Sequence, residues 1–130
     1  MILHILRFRF KPGTTEEQIA GVVASMHGFA EIPVVDQLLV GQDIAADGYY
    51  SHAMIVTVSD VEAMRQYHQH PIHAAADREG LPVIEDIMSF DVSDDLDPAL
   101  GPYLQEIVAQ RMAAQPDIAR LAEQLGSHDS

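Results

Sequence analysis

The chain has 130 residues, a size that supports one hydrophobic core and not two. Twenty acidic residues against seven basic ones give a net charge of −13, which repels phosphate backbones and anionic lipid headgroups and argues against nucleic-acid and membrane-surface partners. Cysteine is absent, which excludes disulfides, thiolate nucleophiles and cysteine-ligated zinc. The longest apolar runs, at 32–35 and 38–40, fall far short of the ~20 residues that span a bilayer, so no membrane segment is expected. The opening M-I-L-H-I-L-R-F-R-F puts its basic residues after the apolar stretch, the wrong order for a secretory signal, so a cytoplasmic location is expected.

Residues 1–10 alternate, with Ile2, His4, Leu6, Phe8 and Phe10 on one face and Leu3, Ile5, Arg7 and Arg9 on the other, which predicts a strand ended by Lys11-Pro12-Gly13. Thr14 with Glu17 predicts a capping box, and Ile19, Val22, Val23, Met26 and Phe29 recur at helical spacing up to about Ala30. Pro33 breaks that helix, and the branched apolar residues of 34–41 predict a second strand. After a loop with Asp47-Gly48, residues 50–58 predict a third strand with Tyr50, His52, Met54, Val56 and Val58 on one face. Ser59 with Glu62 predicts a second capping box and a helix that Pro71 interrupts. A fresh segment is expected to start at that proline, with His70 at its cap and His73 in its first turn. Gly80 and Pro82 close it, and residues 83–92 predict the fourth strand.

The order β-α-β-β-α-β with right-handed crossovers implies a ferredoxin-like α+β fold with both helices on one face of the sheet. The other face would carry Leu3, Ile5, Val83 and Ile87, or their opposite-parity partners, and something must cover it. A second copy of the same sheet does so with least invention, giving a symmetric homodimer with a barrel-like interior. Arg7, Arg9, Glu85 and Ser89 interrupt that face, so paired charges are expected within it. The acidic run at 91–97 reads as a solvated linker, dividing the chain into a domain at 1–92 and an extension at 93–130. Asp97-Pro98 predicts a helix start, and Leu100, Tyr103, Leu104, Ile107, Val108 and Met112 outline an amphipathic helix over 98–114 that must dock on its own domain or its partner. Pro116 stops it, and Ile118, Leu121 and Leu125 outline a last short helix ending at Gly126.

The opening M-I-L-H-I-L-R-F-R-F-K-P-G-T, the I-P-V-V stretch, G-Q-D, the Y-S-H strand and Y-H-Q-H-P-I-H together resemble the stress-responsive dimeric A/B barrel family, Dabb, over residues 1 to about 92. The most specific element is a tyrosine followed by H-P-x-H, here Tyr67, His70, Pro71 and His73. The resemblance implies a dimeric α+β barrel. The best-understood enzymes of the family are polyketide cyclases that close a ring by aldol chemistry without metal or organic cofactor. By that resemblance His73 is the general base and Tyr67 its hydrogen-bonding partner. Other members are stress-induced proteins without a settled activity, so a non-catalytic stress-response or ligand-binding dimer stands as the alternative. Cofactor-free monooxygenases and isomerases share the fold. The tail lies outside the family pattern.

Proton abstraction next to a carbonyl needs a base that is neutral near pH 7 and a donor aimed at the developing oxyanion, and imidazole and phenol meet that need. In the first turn of a helix the dipole disfavours imidazolium, which suits His73 to the base role. The structural alternative is that His73 and Tyr67 tie the broken helix to the sheet. His4 lies among Ile2, Leu6 and Phe8, and His52 lies beside Tyr50; each either lines a pocket or is a hydrogen-bonded core residue. His70 is expected to act as a cap and His68 to face solvent. A metal site at His68, His70 and His73 is disfavoured, because Pro71 scatters their directions. The pocket would be walled by Leu6, Phe8, Phe29, Met54, Met64 and Phe90, which suits a mid-sized, partly aromatic or apolar carbonyl compound.

Overall fold

The computed structural model describes residues 1–125. Its sheet is built from β1 (Ile2–Phe10), β2 (Gln37–Gln42), β3 (His52–Val58) and β4 (Ile84–Ser93). The helices are α1 (Glu16–His27), α2 (Val61–Gln69), α3 (Pro71–Gly80), α4 (Leu100–Ala114) and α5 (Pro116–Glu123). The strands lie in the order β2-β3-β1-β4 with antiparallel pairing at every step, the ferredoxin-like α+β arrangement.

Two of the expected helix starts move by one residue. The capping box of α1 is Thr15 with Gln18, whose side chains each accept the other's backbone N–H. Thr14 is instead used by the preceding turn, where its hydroxyl donates to the Lys11 carbonyl at 2.7 Å. At α2 the cap is Asp60 rather than Ser59, its carboxylate accepting from the Ala63 N–H at 2.8 Å. A carboxylate at that position also complements the helix dipole. β2 starts later than expected, because the 3-10 turn Gly28–Glu31 and the bond from the Val35 N–H to the Ile32 carbonyl carry residues 28–35 in turns. β3 begins at His52, since Ser51 is occupied in closing the loop with Asp43.

The face of the sheet that meets the helices is the one the alternation in β1 predicts. Ile2 and Phe8 are buried there with Met54, Val56 and Val58 of β3, against Val22 and Met26 of α1 and Met64 and Tyr67 of α2. The register decides the parity of β4. Leu6 lies opposite Ser89 and Phe8 opposite Ile87, so Ile87 and Ser89 belong to the helix side. The open face instead carries the opposite-parity set, with Leu3 opposite Val92 and Ile5 opposite Phe90. Phe90 is thus removed from the pocket wall that composition suggested. Charges at that face are paired as expected: Arg9 bridges Glu85 at 3.1 Å, and Arg7 donates to Asp43 at 2.7 Å.

The tail folds back onto the domain, α4 against α2 and α5 against α3. Leu104, Ile107 and Ile118 are buried, and Ile118 is fully enclosed. Polar contacts fix the docking: Arg65 of α2 donates to Gln110 at 3.1 Å and to the Tyr103 hydroxyl at 3.0 Å, and Arg78 of α3 pairs with Asp117 at 2.8 Å. Asp97 accepts from the Ala99 N–H at 3.0 Å in a turn, so α4 starts at Leu100, two residues later than expected, with Ala99 at its cap position and no side-chain cap, whereas Pro116 opens α5 as its first residue. The expected helix end at Gly126 lies outside the described residues. Among the described residues no helix is long and apolar enough to cross a membrane.

Burial of this kind sets a testable cost. Ile118→Ala should destabilise the protein by about 2–5 kcal/mol in urea unfolding, as expected for a large-to-small change at a closed site. Removing residues 97–130 should lower the melting temperature further, because Leu104 and Ile107 leave with it; an unchanged melt would show that the tail does not contribute to the core.

Candidate functional site

The centre of the site is made by a broken helix. A residue before proline disfavours the α region, and His70 is accordingly extended at φ −71°, ψ 137°, ending α2 and letting Pro71 open α3. The His70 ring caps the new helix, Nδ1 accepting the Ile72 N–H at 3.1 Å. The break turns Tyr67, in the last turn of α2, edge-on to His73, in the first turn of α3, with ring centroids 4.7 Å apart and planes at 88°. Phe29 lies flat on His73 at 5.3 Å, fixing the plane of the imidazole from the α1 side. From β1, His4 approaches to 5.8 Å from the Tyr67 ring and 5.7 Å from the His68 ring, while its Nδ1 sits 2.7 Å from Asp91 on β4.

These rings border a cavity of about 240 Å³ enclosed by the sheet, the first three helices and the tail. Its wall is mainly apolar, with Leu6, Phe29, Met54 and Ile87 contributing, and its polar groups are gathered on one side: Tyr67, His68, His73, Asp77, Arg111 and His4. A larger, more open groove of about 680 Å³ runs along β4 beneath the acidic linker, but no histidine, tyrosine or basic residue lines it. Convergent titratable groups in an apolar hollow identify the smaller cavity as the candidate site.

Burial sets the protonation states. It pushes the His73 imidazolium pKa below its ordinary value, an effect that Asp77 opposes without reversing, so the ring is neutral at pH 7. His68 is lowered to about 2, first by burial and then by His73 and His4, and is neutral as well. Burial and the nearby Asp77 raise the Tyr67 phenol above its ordinary range, so it remains a donor. Burial by itself would raise Asp77, but His73 and Arg111 outweigh it and hold the carboxyl below its usual range, ionised. His73 Nδ1 lies 3.2 Å from Asp77 Oδ2, off the line of a straight hydrogen bond, and Arg111 Nη2 bonds to the same oxygen. The Tyr67 hydroxyl and His68 Nδ1 are buried with no partner among the described residues. Unpaired buried polar atoms beside a cavity are groups that a ligand would satisfy.

Of the residues singled out in the sequence, His4, Leu6, Phe29, Met54, Tyr67 and His73 come together at the cavity. Phe8 and Met64 are wholly buried in the core and do not line it. His52 shares the helix-side face but stacks on Phe8 at 5.6 Å and meets Phe10 edge-on, away from the cavity wall. Tyr50 precedes β3 and lies under the Arg7 guanidinium at 4.7 Å, placing it with the open-face side chains instead. Phe90 lies opposite Ile5 on that same open face. His68, expected in solvent, is buried against the other rings. Asp77 and Arg111 were missed. The signal for Asp77 is its position four residues after His73, on the same helix face. Arg111 could be found by noting that it follows Leu104 and Ile107 at the helical interval that faces the core. Among the described residues, no three histidine or acidic side chains converge to hold a metal ion.

Comparison with known proteins is consistent with this architecture. A search of curated proteins gives no significant match. Among solved structures, a dimeric ferredoxin-like protein of unknown function from Thermobifida fusca is similar at 28% identity and a TM-score of 0.64, over 71% of this chain and 89% of that one. A Dabb family protein with a ferredoxin-like fold from Mesorhizobium loti is similar at 21% identity and a TM-score of 0.65, over 72% and 96%. A hydroxynitrile lyase from Passiflora edulis shares the fold at 22% identity and a TM-score of 0.63, over 73% and 95%. The model of the Stress responsive A/B Barrel Domain matches residues 2–94, which cover most of the chain and all four strands but neither tail helix, and the chain belongs to that family, Dabb.

Proposed function

We propose that this protein is a small enzyme that moves a proton beside a carbonyl group, in aldol-type cyclase or lyase chemistry, using side chains alone and no organic cofactor or metal. The observation that supports it most is the pairing of a neutral His73 with a buried, unpartnered Tyr67 hydroxyl at the wall of one cavity. With Asp77 beside Nδ1, the proton of the neutral ring belongs on Nδ1, and Nε2 carries the lone pair that acts as base. In a cyclase, Nε2 takes the α-proton, charge moves to the carbonyl oxygen where the Tyr67 O–H donates, the enolate carbon then attacks a second carbonyl of the same substrate, and the alkoxide so formed takes the proton back from the imidazolium. In a lyase, Nε2 takes a hydroxyl proton, the adjacent carbon–carbon bond breaks, and the departing carbanion is protonated from the imidazolium. The name of the Passiflora edulis neighbour, a hydroxynitrile lyase, supports lyase chemistry on this scaffold. The apolar walls favour a mid-sized substrate with an aromatic or aliphatic body. A non-catalytic dimer that binds no ligand would have no use for such a cavity, while a ligand-binding dimer stands as the second reading.

The second copy is part of the proposal. Leu39, Ile55, Ile5 and Phe90 lie side by side across all four strands of the open face, and Leu39 and Phe90 are 63% and 45% exposed. An apolar row of that length calls for a partner, and the Thermobifida fusca neighbour is described as dimeric.

Two experiments check these readings. His73→Ala should lower turnover by the ~10²- to 10⁴-fold of a positioned proton transfer, and Tyr67→Phe by less, both in proteins that melt as cooperatively as the parent. The base must be unprotonated to act, so kcat/KM should fall only as acid protonates His73, below the ordinary 6.5, and should stay level until beyond the ordinary phenol value of 10.0. A folded His73→Ala protein with full activity would remove the base assignment. For the dimer, sedimentation should give twice the chain mass for the parent and a monomer for Phe90→Asp; a monomeric parent would refute the pairing.

A further inference from the structure

The residues that match the family end at 94, yet one of the charged groups at the cavity comes from α4. Arg111 reaches back from the tail, and its side chain is 6% exposed, unusual for an arginine unless its charge is matched. The match is Asp77 Oδ2, the same oxygen that lies 3.2 Å from His73 Nδ1. A guanidinium from α4 and an imidazole from α3 therefore share one oxygen of a carboxylate that is largely, though not wholly, withdrawn from water, its side chain 20% exposed.

We propose that Arg111, supplied by the C-terminal tail, is a positioning residue of the site, which by neutralising Asp77 leaves His73 an uncharged ring with its proton on Nδ1 and its lone pair on Nε2. The inference rests on the reading of His73 as base and adds to it a role for the tail. Charge counting gives the reason. A carboxylate largely withdrawn from water must be compensated, and two neighbours in direct contact are able to do so. With Arg111 in place the pair is neutral, and His73 has no need to take a proton. Without Arg111 the only group in contact with the carboxylate that can compensate it is a protonated His73, which can no longer accept a proton from a substrate; Arg78 attracts Asp77 only from a distance and is itself paired with Asp117. The other titratable groups around the imidazole do not reverse this balance, and His4 adds to it by further disfavouring imidazolium at His73. Tyr67 and His68 on α2 are held neutral by burial, and His4 on β1 is paired with Asp91 on β4, away from Asp77. The proposal also accounts for α4 and α5 being docked over this cavity rather than elsewhere on the domain: the tail both closes the apolar wall, through Val108, Met112 and Ile118, and sets the charge of its polar side.

The test needs no substrate. In ¹⁵N-labelled protein, the imidazole nitrogens of His73 are followed against pH and assigned by their disappearance in His73→Gln. In the parent, His73 should be the neutral Nδ1–H tautomer at pH 7. In Arg111→Met its protonation midpoint should rise by about one unit or more, since an unmatched carboxylate is left beside it. Arg111→Lys should restore a midpoint near that of the parent. The double variant Arg111→Met with Asp77→Asn has no buried charge to compensate, so it should fold even where the single variant does not, and its His73 should titrate no higher than in the parent. An unchanged midpoint in a folded Arg111→Met protein would overturn the proposal, as would a double variant whose midpoint is as high as that of the single one. Either result leaves the base assignment to be judged by the turnover of His73→Ala, so the two failures are distinguishable.

Discussion

A carboxylate largely withdrawn from water, with two cation-forming partners on one of its oxygens, is the constraint on which the site depends. Asp77 sits where α3 meets α4, and an unpaired charge there would be too costly to keep. Its two partners come from opposite ends of the architecture, His73 from one turn earlier on the same helix and Arg111 from the tail. Docking of the tail and protonation of the site are therefore one problem. The same burial also removes water from His73 and Tyr67, lowering the one and raising the other, so that the imidazole is neutral and the phenol keeps its proton.

The proline at 71 is the local device that makes such a site possible on a simple sheet-and-helix scaffold. An unbroken helix from Val61 to Gly80 would separate Tyr67 and His73, six residues apart, by about 9 Å along the axis and point them in directions that diverge by about a third of a turn. Ending α2 at Gln69 and restarting at Pro71 brings the two rings to 4.7 Å. The cap that His70 gives to α3 holds the new start, and Phe29 stacked on His73 holds the ring.

Much of this was legible before any coordinates. Alternation in β1 identified the buried face, and Pro71 marked the restart of the helix, because both signals are local and strong. The stripe from Leu104 to Ile107 announced that α4 must dock, but its target was not readable, since amphipathic period gives the face of a helix and not its partner. The parity of β4 was likewise open: residues 83–92 contain apolar groups on both faces, and only the register opposite β1 sends Ile87 inward and Phe90 outward. Tyr50 and His52 were grouped by an alternation that starts before the strand does. Arg111 escaped because an arginine on an apolar stripe is ordinarily read as its polar edge, and its partner lies 34 residues away in sequence.

At the centre of the proposed function is a neutral His73, at the wall of the cavity, whose Nε2 would act on a bound carbonyl compound. Alkylation by an aromatic bromomethyl ketone measures this directly, since Nε2 would displace bromide from the carbon beside the carbonyl and become covalently marked. Peptide mapping by mass spectrometry should find His73 modified at Nε2, with the mark lost in His73→Gln and slowed by competing non-reactive aromatic ketone. Modification confined to exposed histidines such as His27, with His73 untouched at every reagent concentration that leaves the fold intact, would contradict the account.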